Sequence, residues 1–232
     1  MADVGPALEI NAEAFENPEN KPLMAIVLID DGAAPVTGAA GIAALRSFPY
    51  PLSFAVNANA PDAAERIALY RAEGLEVLIE VDLPEAATAT DAETLLGTAL
   101  AGLPGAVAVL EGSETGVQGS KDLSDQVTAI LGQTGHGLVT QDKGLNTMPK
   151  LARKAGVAAD PIFRDFDSKG QTATVIRRFL DQAAFRAGQD GGVIMMGRLR
   201  ADTISALLLW GLQDRAGKVA LAPISAVLSR EQ

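Results

Sequence analysis

Seven short apolar runs recur along the chain, and each is followed by a longer segment with helical spacing. The runs are 24–29, 53–56, 76–81, 106–110, 137–140, 192–196 and 218–222. Both faces of these runs are apolar, which is typical of strands in a parallel sheet that helices cover on both sides. Strands joined through helices pair in parallel by right-handed crossovers. The alternation therefore predicts an α/β fold, a distorted (β/α) barrel of about seven parallel strands.

Turn and capping signals place helices between these runs. Thr90 and Asp91 favour the start of one helix, because short polar side chains accept hydrogen bonds from the first backbone N–H groups. Gly74 favours the end of another, since glycine adopts the left-handed conformation after a helix at little cost. The predicted helices are about 61–73, 90–100, 120–131, 145–155, 171–187 and 201–215.

Composition excludes several classes of function. The net charge is −10, and an acidic surface repels phosphate backbones, so nucleic acid is not expected as a partner. The chain contains no cysteine, which rules out disulfides, thiolate nucleophiles and cysteine-ligated metals. Its one histidine, His136, precedes the fifth run, at the end of the strand away from the predicted cleft. A site that needs two histidine ligands is therefore not expected.

The first 22 residues differ from the rest of the chain. Pro6, Pro18 and Pro22 interrupt them, so we expect residues 1–22 to form an extended arm or linker and residues 23–232 to form the barrel domain. No basic segment followed by a long apolar stretch is visible, so no signal peptide is predicted in this chain. The longest apolar run, 23–29, is shorter than the roughly 20 residues that a membrane span requires.

Polar residues follow almost every predicted strand. Ligands of parallel α/β folds bind at the carboxyl ends of the strands, so these residues should share one cleft. Clustered carboxylates can hold a hard cation or carry out acid–base chemistry. The residues are Asp30, Asp31, Asn57, Glu80, Asp82, Glu111, Asp142, Lys143, Arg164, Asp165, Asp167, Arg198 and Arg200.

Turn formation alone explains any single one of these residues, because Asp, Asn and Gly are common where a strand leads into a helix. Asp30 and Asp31 are different. Two adjacent carboxylates directly after a buried run have a desolvation cost that a turn does not require. A glycosidase that uses paired carboxylates such as Asp31 and Glu80 is a further alternative.

Several motifs in this order resemble the divergent polysaccharide deacetylases, which are relatives of the NodB-like carbohydrate esterases. The resemblance extends from about residue 23 to 228. Its segments are MAIVLIDDG at 24–32, GLEVLIEVDLPE at 74–85, GS at 119–120, GLVTQDKGLNTMPKLARKAGV at 137–157, RDFDSKG at 164–170, VIMMGRLRADTISALLLW at 193–210 and VALAPISAVL at 219–228.

The resemblance implies a NodB-like barrel and a metal-dependent hydrolase. In the catalytic relatives one Asp and two His hold a divalent metal, usually zinc, whose bound water attacks an acetyl carbonyl. By this resemblance Asp30 matches the catalytic base and Asp31 the metal ligand. Arg164 and Asp165 match a catalytic Arg–Asp pair. The implied substrate is an acetylated glycan, and the implied location is the periplasm or cell envelope.

Both histidine ligand positions are replaced in this chain. One aligns with Val117 and the other with Arg198, while a histidine found after the third strand in many members aligns with Glu80 or, in a shifted register, Asp82. We therefore expect no tightly bound zinc. We also expect Arg198 to form an ion pair with Asp30 or Asp31 in place of the metal.

Two functions follow from these observations. The first is a deacetylase-like hydrolase of carbohydrate metabolism with a degenerate site. The second is a non-catalytic protein of the envelope that binds a glycan or a protein. In either case Glu80, Asp82, Asp142 and Arg198 are predicted to contact the substrate or ligand.

Overall fold

The computed structural model describes residues 5–32, 39–142 and 147–230. Lys143 and the predicted helix start at Leu145 lie outside these ranges. All strand pairs in the described sheet are parallel, in the order β6-β5-β4-β3-β2-β1-β8-β7, with β9 beside β1. The strands are β1 Leu23–Asp30, β2 Ser53–Asn57, β3 Glu76–Val81, β4 Ala106–Glu111, β5 Gly137–Thr140, β6 Ala159–Pro161, β7 Arg164–Asp165, β8 Gly192–Arg198 and β9 Ala220–Leu221.

A single segment, residues 159–165, contacts both edges of this sheet. Its first part pairs with β5, and the Ile162 N–H donates to the Thr140 carbonyl at 2.8 Å. Its second part pairs with β8, and the Phe163 N–H donates to the Ile194 carbonyl at 2.8 Å. The segment thus acts as one wall strand and closes the sheet into a barrel of seven strands, which confirms the predicted fold.

The seventh wall strand is not the one that the apolar runs indicated. Within the run 218–222, only Ala220–Leu221 pairs, and it lies beside the beginning of β1. The true seventh strand was hard to recognise because it is short and contains a charged Asp160 and a Pro161.

The helices surround the barrel, with bounds close to those predicted. Thr88 caps α4 instead of Thr90, because Thr88 and Asp91 bond reciprocally through their side chains and backbone N–H groups. Helix α5 continues past Gly132 and ends at Gly135, which has a φ of 72°. The helices are α1 Ala7–Ile10, α2 Ala39–Arg46, α3 Ala63–Ala72, α4 Ala89–Gly102, α5 Lys121–Thr134, α6 Thr147–Lys154, α7 Ala173–Asp190, α8 Ala201–Gly211 and α9 Ile224–Leu228.

The core has two layers, one on each side of the barrel wall. In β1, Met24, Ile26 and Leu28 belong to the outer layer, which packs beneath the helices. Ala25, Val27 and Ile29 belong to the inner layer, which fills the lumen. Because side chains of a strand alternate between faces, this split fixes which residues of each strand face inward.

The amino ends of the strands are closed by segments from both ends of the chain. Leu8 of α1 and Ile224 of α9 contribute to the inner core layer. Glu76, at the start of β3, accepts hydrogen bonds from the Glu13 N–H at 2.9 Å and from the Ser225 N–H at 2.8 Å. These segments therefore cover the amino ends of the strands, and the carboxyl ends lie at the opposite end of the barrel. No helix in the described ranges has the length and apolarity of a membrane span.

Candidate functional site at the carboxyl mouth of the barrel

Strand alternation identifies the inward-facing side chains at the carboxyl end of the barrel, here called the mouth. Leu78 of β3 and Met196 of β8 belong to the inner core layer. Two residues further along these strands are Glu80 and Arg198, which therefore also face inward. The same rule applied from Ile29, Ala55 and Val139 places Asp31, Asn57 and Gln141 at the mouth.

Glu80 is the most unusual of these residues. Only 8% of its surface is exposed, yet within the described ranges no donor reaches its carboxylate and no cation forms an ion pair with it. Burial raises its pKa, and Asp82, Glu114 and Asp31 raise it further, while Arg198 acts in the opposite direction. Residues from β1, β3, β8 and the loop after β4 thus act on one carboxyl group inside the mouth.

Asp82 lies beside Glu80 and borders a groove. Its Oδ1 accepts a hydrogen bond from the Gly116 N–H at 2.6 Å. The groove has a volume of about 650 Å³ and leads from Asp82 and Thr115 to the apolar side chains of α4, among them Leu95 and Leu103. The mouth therefore continues into a mainly apolar channel on the side of β3.

Arg198 forms a different ion pair from the one expected. Its Nη1 donates to Oδ1 of Asp165 and, at 3.1 Å, to Oδ1 of Asp167. Asp167 is buried and also accepts from the Arg198 N–H at 2.7 Å and the Thr203 hydroxyl at 2.6 Å. The expectation that Arg198 would pair with Asp30 or Asp31 was wrong, because the segment after β7 brings two other carboxylates to the guanidinium.

Asp30 faces away from the mouth. It has the same orientation as Leu28 and Ile26, so it points into the helix layer, where it is buried. Its carboxylate accepts from Arg66 Nη1 at 3.0 Å and from the Tyr70 hydroxyl at 2.9 Å, both on α3. Burial and the charge of Asp30 together raise the pKa of Tyr70. Asp30 therefore anchors α3 to β1.

Arg164 and Asp142 also lie apart from the mouth. The Arg164 guanidinium stacks over Phe179 of α7, 4.5 Å from the ring centre. Both residues border a separate cavity of about 450 Å³ next to the segment 159–165. Of the predicted site residues, Asp31, Glu80, Asp82, Asp165 and Arg198 come together at the mouth, while Asp30, Arg164 and Asp142 do not.

The glycine-rich loop after β4 encloses a fully buried carboxylate, Glu111. Its oxygens accept from the Val117 N–H at 3.2 Å, the Gln118 side-chain amide at 2.6 Å and the Gln141 N–H at 2.8 Å. Gly116 has a φ of 68°, and a Cβ at this position would lie 2.3 Å from Glu111 Oε1. Gly116 is thus needed for the close approach of the loop to this carboxylate. The strand-end position of Glu111 signalled its importance but not this role.

His136 lies in the loop before β5, at the end of the strand opposite the mouth, as predicted. Its Nδ1 is 2.9 Å from the Thr134 hydroxyl, and burial lowers its pKa to about 4. It is therefore neutral at physiological pH and cannot reach a ligand at the mouth.

The sequence profile described as "Divergent polysaccharide deacetylase" matches residues 27–228. The chain belongs to this family. The match begins within β1 and ends at the last residue of α9, so it includes every strand that carries a mouth residue. No curated protein matches the chain in sequence.

Solved structures of low sequence identity share the fold. An uncharacterized protein of Agrobacterium tumefaciens C58 has a TM-score of 0.80 at 18% identity, covering 97% of this chain and 96% of that one. A protein of Enterococcus faecalis V583, assigned to cellobiose-phosphate cleavage, has a TM-score of 0.68 at 13% identity, covering 89% and 98%. A protein of Mycobacterium smegmatis, assigned as a polysaccharide deacetylase, has a TM-score of 0.58 at 14% identity, covering 94% and 92%.

The residues that the sequence resemblance aligns with the family's metal ligands do not fit a zinc ion. The side chain of Val117 is fully buried in the outer core layer and offers no ligand atom. Arg198 places a permanent positive charge at the mouth, which repels a divalent cation. Within the described ranges, no group of three or more His, Asp or Glu side chains is arranged to hold a metal ion.

Replacing Glu80 with Gln is expected to make the protein more stable at neutral pH. A carboxyl group whose pKa is raised on folding destabilises the folded state as pH rises from the unfolded value, about 4.3 for Glu, through the folded value. Glu80→Gln removes this loss. Thermal unfolding followed from pH 4 to pH 8 should show a melting temperature difference that grows with pH in favour of the variant. Equal melting temperatures at all pH values would contradict the buried, unpaired carboxylate.

Proposed function

We propose that this protein binds a glycan at the barrel mouth and does not hydrolyse its acetyl groups by the zinc mechanism. The observation that carries the proposal is the Arg198 ion pair. The resemblance aligns this guanidinium with a histidine ligand of the family, and Asp165 and Asp167 hold it by ion pairs. The acetylated glycans on which the family acts supply the ligand class, and we place the protein in the cell envelope with its relatives.

The shape of the mouth supports this proposal. Glu80, Asp82 and Asn57 present oxygen and nitrogen atoms that can bind hydroxyl groups, and the groove beyond Asp82 presents apolar side chains. A sugar ring has polar edges, which these polar side chains can contact, and apolar faces, which the apolar groove can contact. Small-ligand sites commonly combine a mainly apolar cleft with a few placed polar groups in this way.

A paired-carboxylate glycosidase is the second candidate, and the raised pKa of Glu80 is the observation that favours it. A general acid requires a carboxyl group that remains protonated near the working pH. Burial and the neighbouring carboxylates Asp82, Glu114 and Asp31 raise the pKa of Glu80, which is the direction that this role requires. Asp31 would then supply the second carboxylate. Release of reducing ends from an oligosaccharide would identify this activity.

Metal analysis and an acetate assay test the main proposal. We expect the purified protein to contain no stoichiometric zinc and to release no acetate from N-acetylated chito-oligosaccharides in the presence of added zinc. One zinc per chain that is lost in Asp31→Ala would overturn the proposal. A crystal soaked with zinc and a chito-oligosaccharide should show the oligosaccharide over Glu80 and Asp82 and no zinc ion beside Asp31.

A further inference from the structure

The carboxylate of Glu80 has no partner among the described residues and is suited to bind a positively charged group. Burying a carboxylate without a cation or hydrogen-bond donors has a high free-energy cost. Glu80 is about nine-tenths buried, its oxygens keep contact with solvent at the mouth, and in the described ranges its carboxylate has neither kind of partner. Asp30, Glu111 and Asp167, the comparable buried carboxylates of the strand ends, all accept hydrogen bonds from neighbouring donors. Of these four carboxylates, only Glu80 accepts no hydrogen bond from a donor in the described ranges.

The charges around Glu80 favour a cation over an anion or a neutral group. Asp31, Asp82 and Glu114 all act on Glu80 through space. Arg198 is the cation that acts on it, but its Nη1 already donates to Asp165 and Asp167. The surroundings of Glu80 therefore contain three further carboxylates and one guanidinium that already donates to two other carboxylates.

The same charges define the kind of cation. Arg198 opposes a divalent metal ion, and the described carboxylates do not form a metal-binding group. A primary ammonium group carries one charge and three N–H donors, which matches a single buried carboxylate with further acceptors nearby. The apolar groove beyond Asp82 offers space for the carbon skeleton to which the amine is attached.

We propose that the mouth recognises a free primary ammonium group on an amino sugar, with the Glu80 carboxylate as its main acceptor. This inference rests on the proposed glycan-binding function and specifies its ligand as the de-N-acetylated form. An N-acetyl group is neutral and presents one amide N–H, so it leaves the charge of Glu80 without a counterion. The protein thus distinguishes amino sugars whose nitrogen is free from those whose nitrogen is acetylated.

Three disaccharides that differ only at carbon 2 test this inference by calorimetry on the full chain at low salt. They are chitobiose with free amines, its N,N′-diacetyl form, and cellobiose, which has hydroxyl groups. A charge-assisted hydrogen bond to a buried carboxylate corresponds to a roughly 10- to 100-fold difference in affinity. We expect the free amine to bind about that much more tightly than either neutral disaccharide.

Two variants assign the effect to Glu80. Glu80→Gln should erase the preference for the free amine, while its melting temperature shows that it remains folded. Glu93→Gln carries the same change on the exposed surface of α4 and should keep the preference. A preference that survives in Glu80→Gln would show that the acidic surface attracts the amine non-specifically, and would overturn the assignment.

The outcomes separate the two proposals. Equal or tighter binding of the diacetyl form overturns the free-amine inference and leaves glycan binding intact. If none of the three disaccharides binds and chito-oligosaccharides also fail to bind, the glycan-binding proposal itself is wrong.

Discussion

Replacing Asp167 with Ala should reduce the free energy of unfolding by about 3–5 kcal/mol, because it leaves the partly buried Arg198 guanidinium without one of its two carboxylates. Asp167 is buried, and its oxygens accept from Arg198 Nη1, the Arg198 N–H and the Thr203 hydroxyl. The loss should appear in urea unfolding followed by circular dichroism, since the variant removes one carboxylate from the Arg198 guanidinium and leaves the Arg198 N–H and the Thr203 hydroxyl without their acceptor.

Asp125→Ala is the matched control for this prediction. Asp125 also forms an ion pair with a single cation, Lys121, but half or more of each side chain is exposed. Exposed pairs contribute roughly 0–1 kcal/mol. If Asp167→Ala lost no more stability than Asp125→Ala, the Arg198 cluster would be a surface feature rather than a buried one.

Replacing Glu111 with Ala should cost roughly 3 kcal/mol or more, because each buried donor that loses its acceptor costs about 1–3 kcal/mol. Three donors, from Val117, Gln118 and Gln141, depend on this carboxylate. The variant should also loosen the loop that carries Glu114 and Thr115, so ligand affinity at the mouth should fall with stability.

Glu111→Gln separates charge from hydrogen bonding at this position. The Gln amide keeps the shape of the side chain but turns one acceptor into a donor, so at least one of the three N–H groups faces another N–H. An intermediate loss is therefore expected. Glu93→Ala on exposed α4 should change the unfolding free energy by no more than about 0.5 kcal/mol. Comparable losses in Glu111→Ala and Glu93→Ala would count against the buried network.

The barrel could be predicted because its strands are apolar on both faces. The same property gives no indication of which site residues point into the lumen. In a strand covered on both sides, alternation does not reveal which face lies inside. Asp30 and Asp31 were therefore interpreted as a functional pair, although Asp30 belongs to the face of Leu28 and Asp31 to the face of Ile29. Tyr70 and Arg66, which bind Asp30, are one turn apart on α3, but nothing local marks them as its partners.

Long-range contacts account for the other differences. Asp165 and Arg198 are 33 residues apart, and Asp167 and Thr203 are 36 apart, so their pairing depends on how the segment 159–165 crosses to β8. That crossing was not evident from a stretch with so few apolar residues. Glu80, Asp82, Asp31, Asp165 and Arg198 could still be placed at one mouth, because the carboxyl ends of parallel strands always share one edge.

The segment 159–165 forms the seam at which the barrel wall closes. Asp160, near the beginning of the segment, forms ion pairs with Arg153 and Arg230. Asp165, at its end, forms an ion pair with Arg198, so both ends of the segment are held by ion pairs. The ion pair at Asp165 uses the same Arg198 guanidinium that faces the mouth. A bound molecule that draws Arg198 toward itself must therefore also loosen the ion pair that holds the barrel wall. The N–H groups of Ile162 and Phe163 are hydrogen-bonded to the two neighbouring strands, so faster amide hydrogen exchange at these residues would report this loosening.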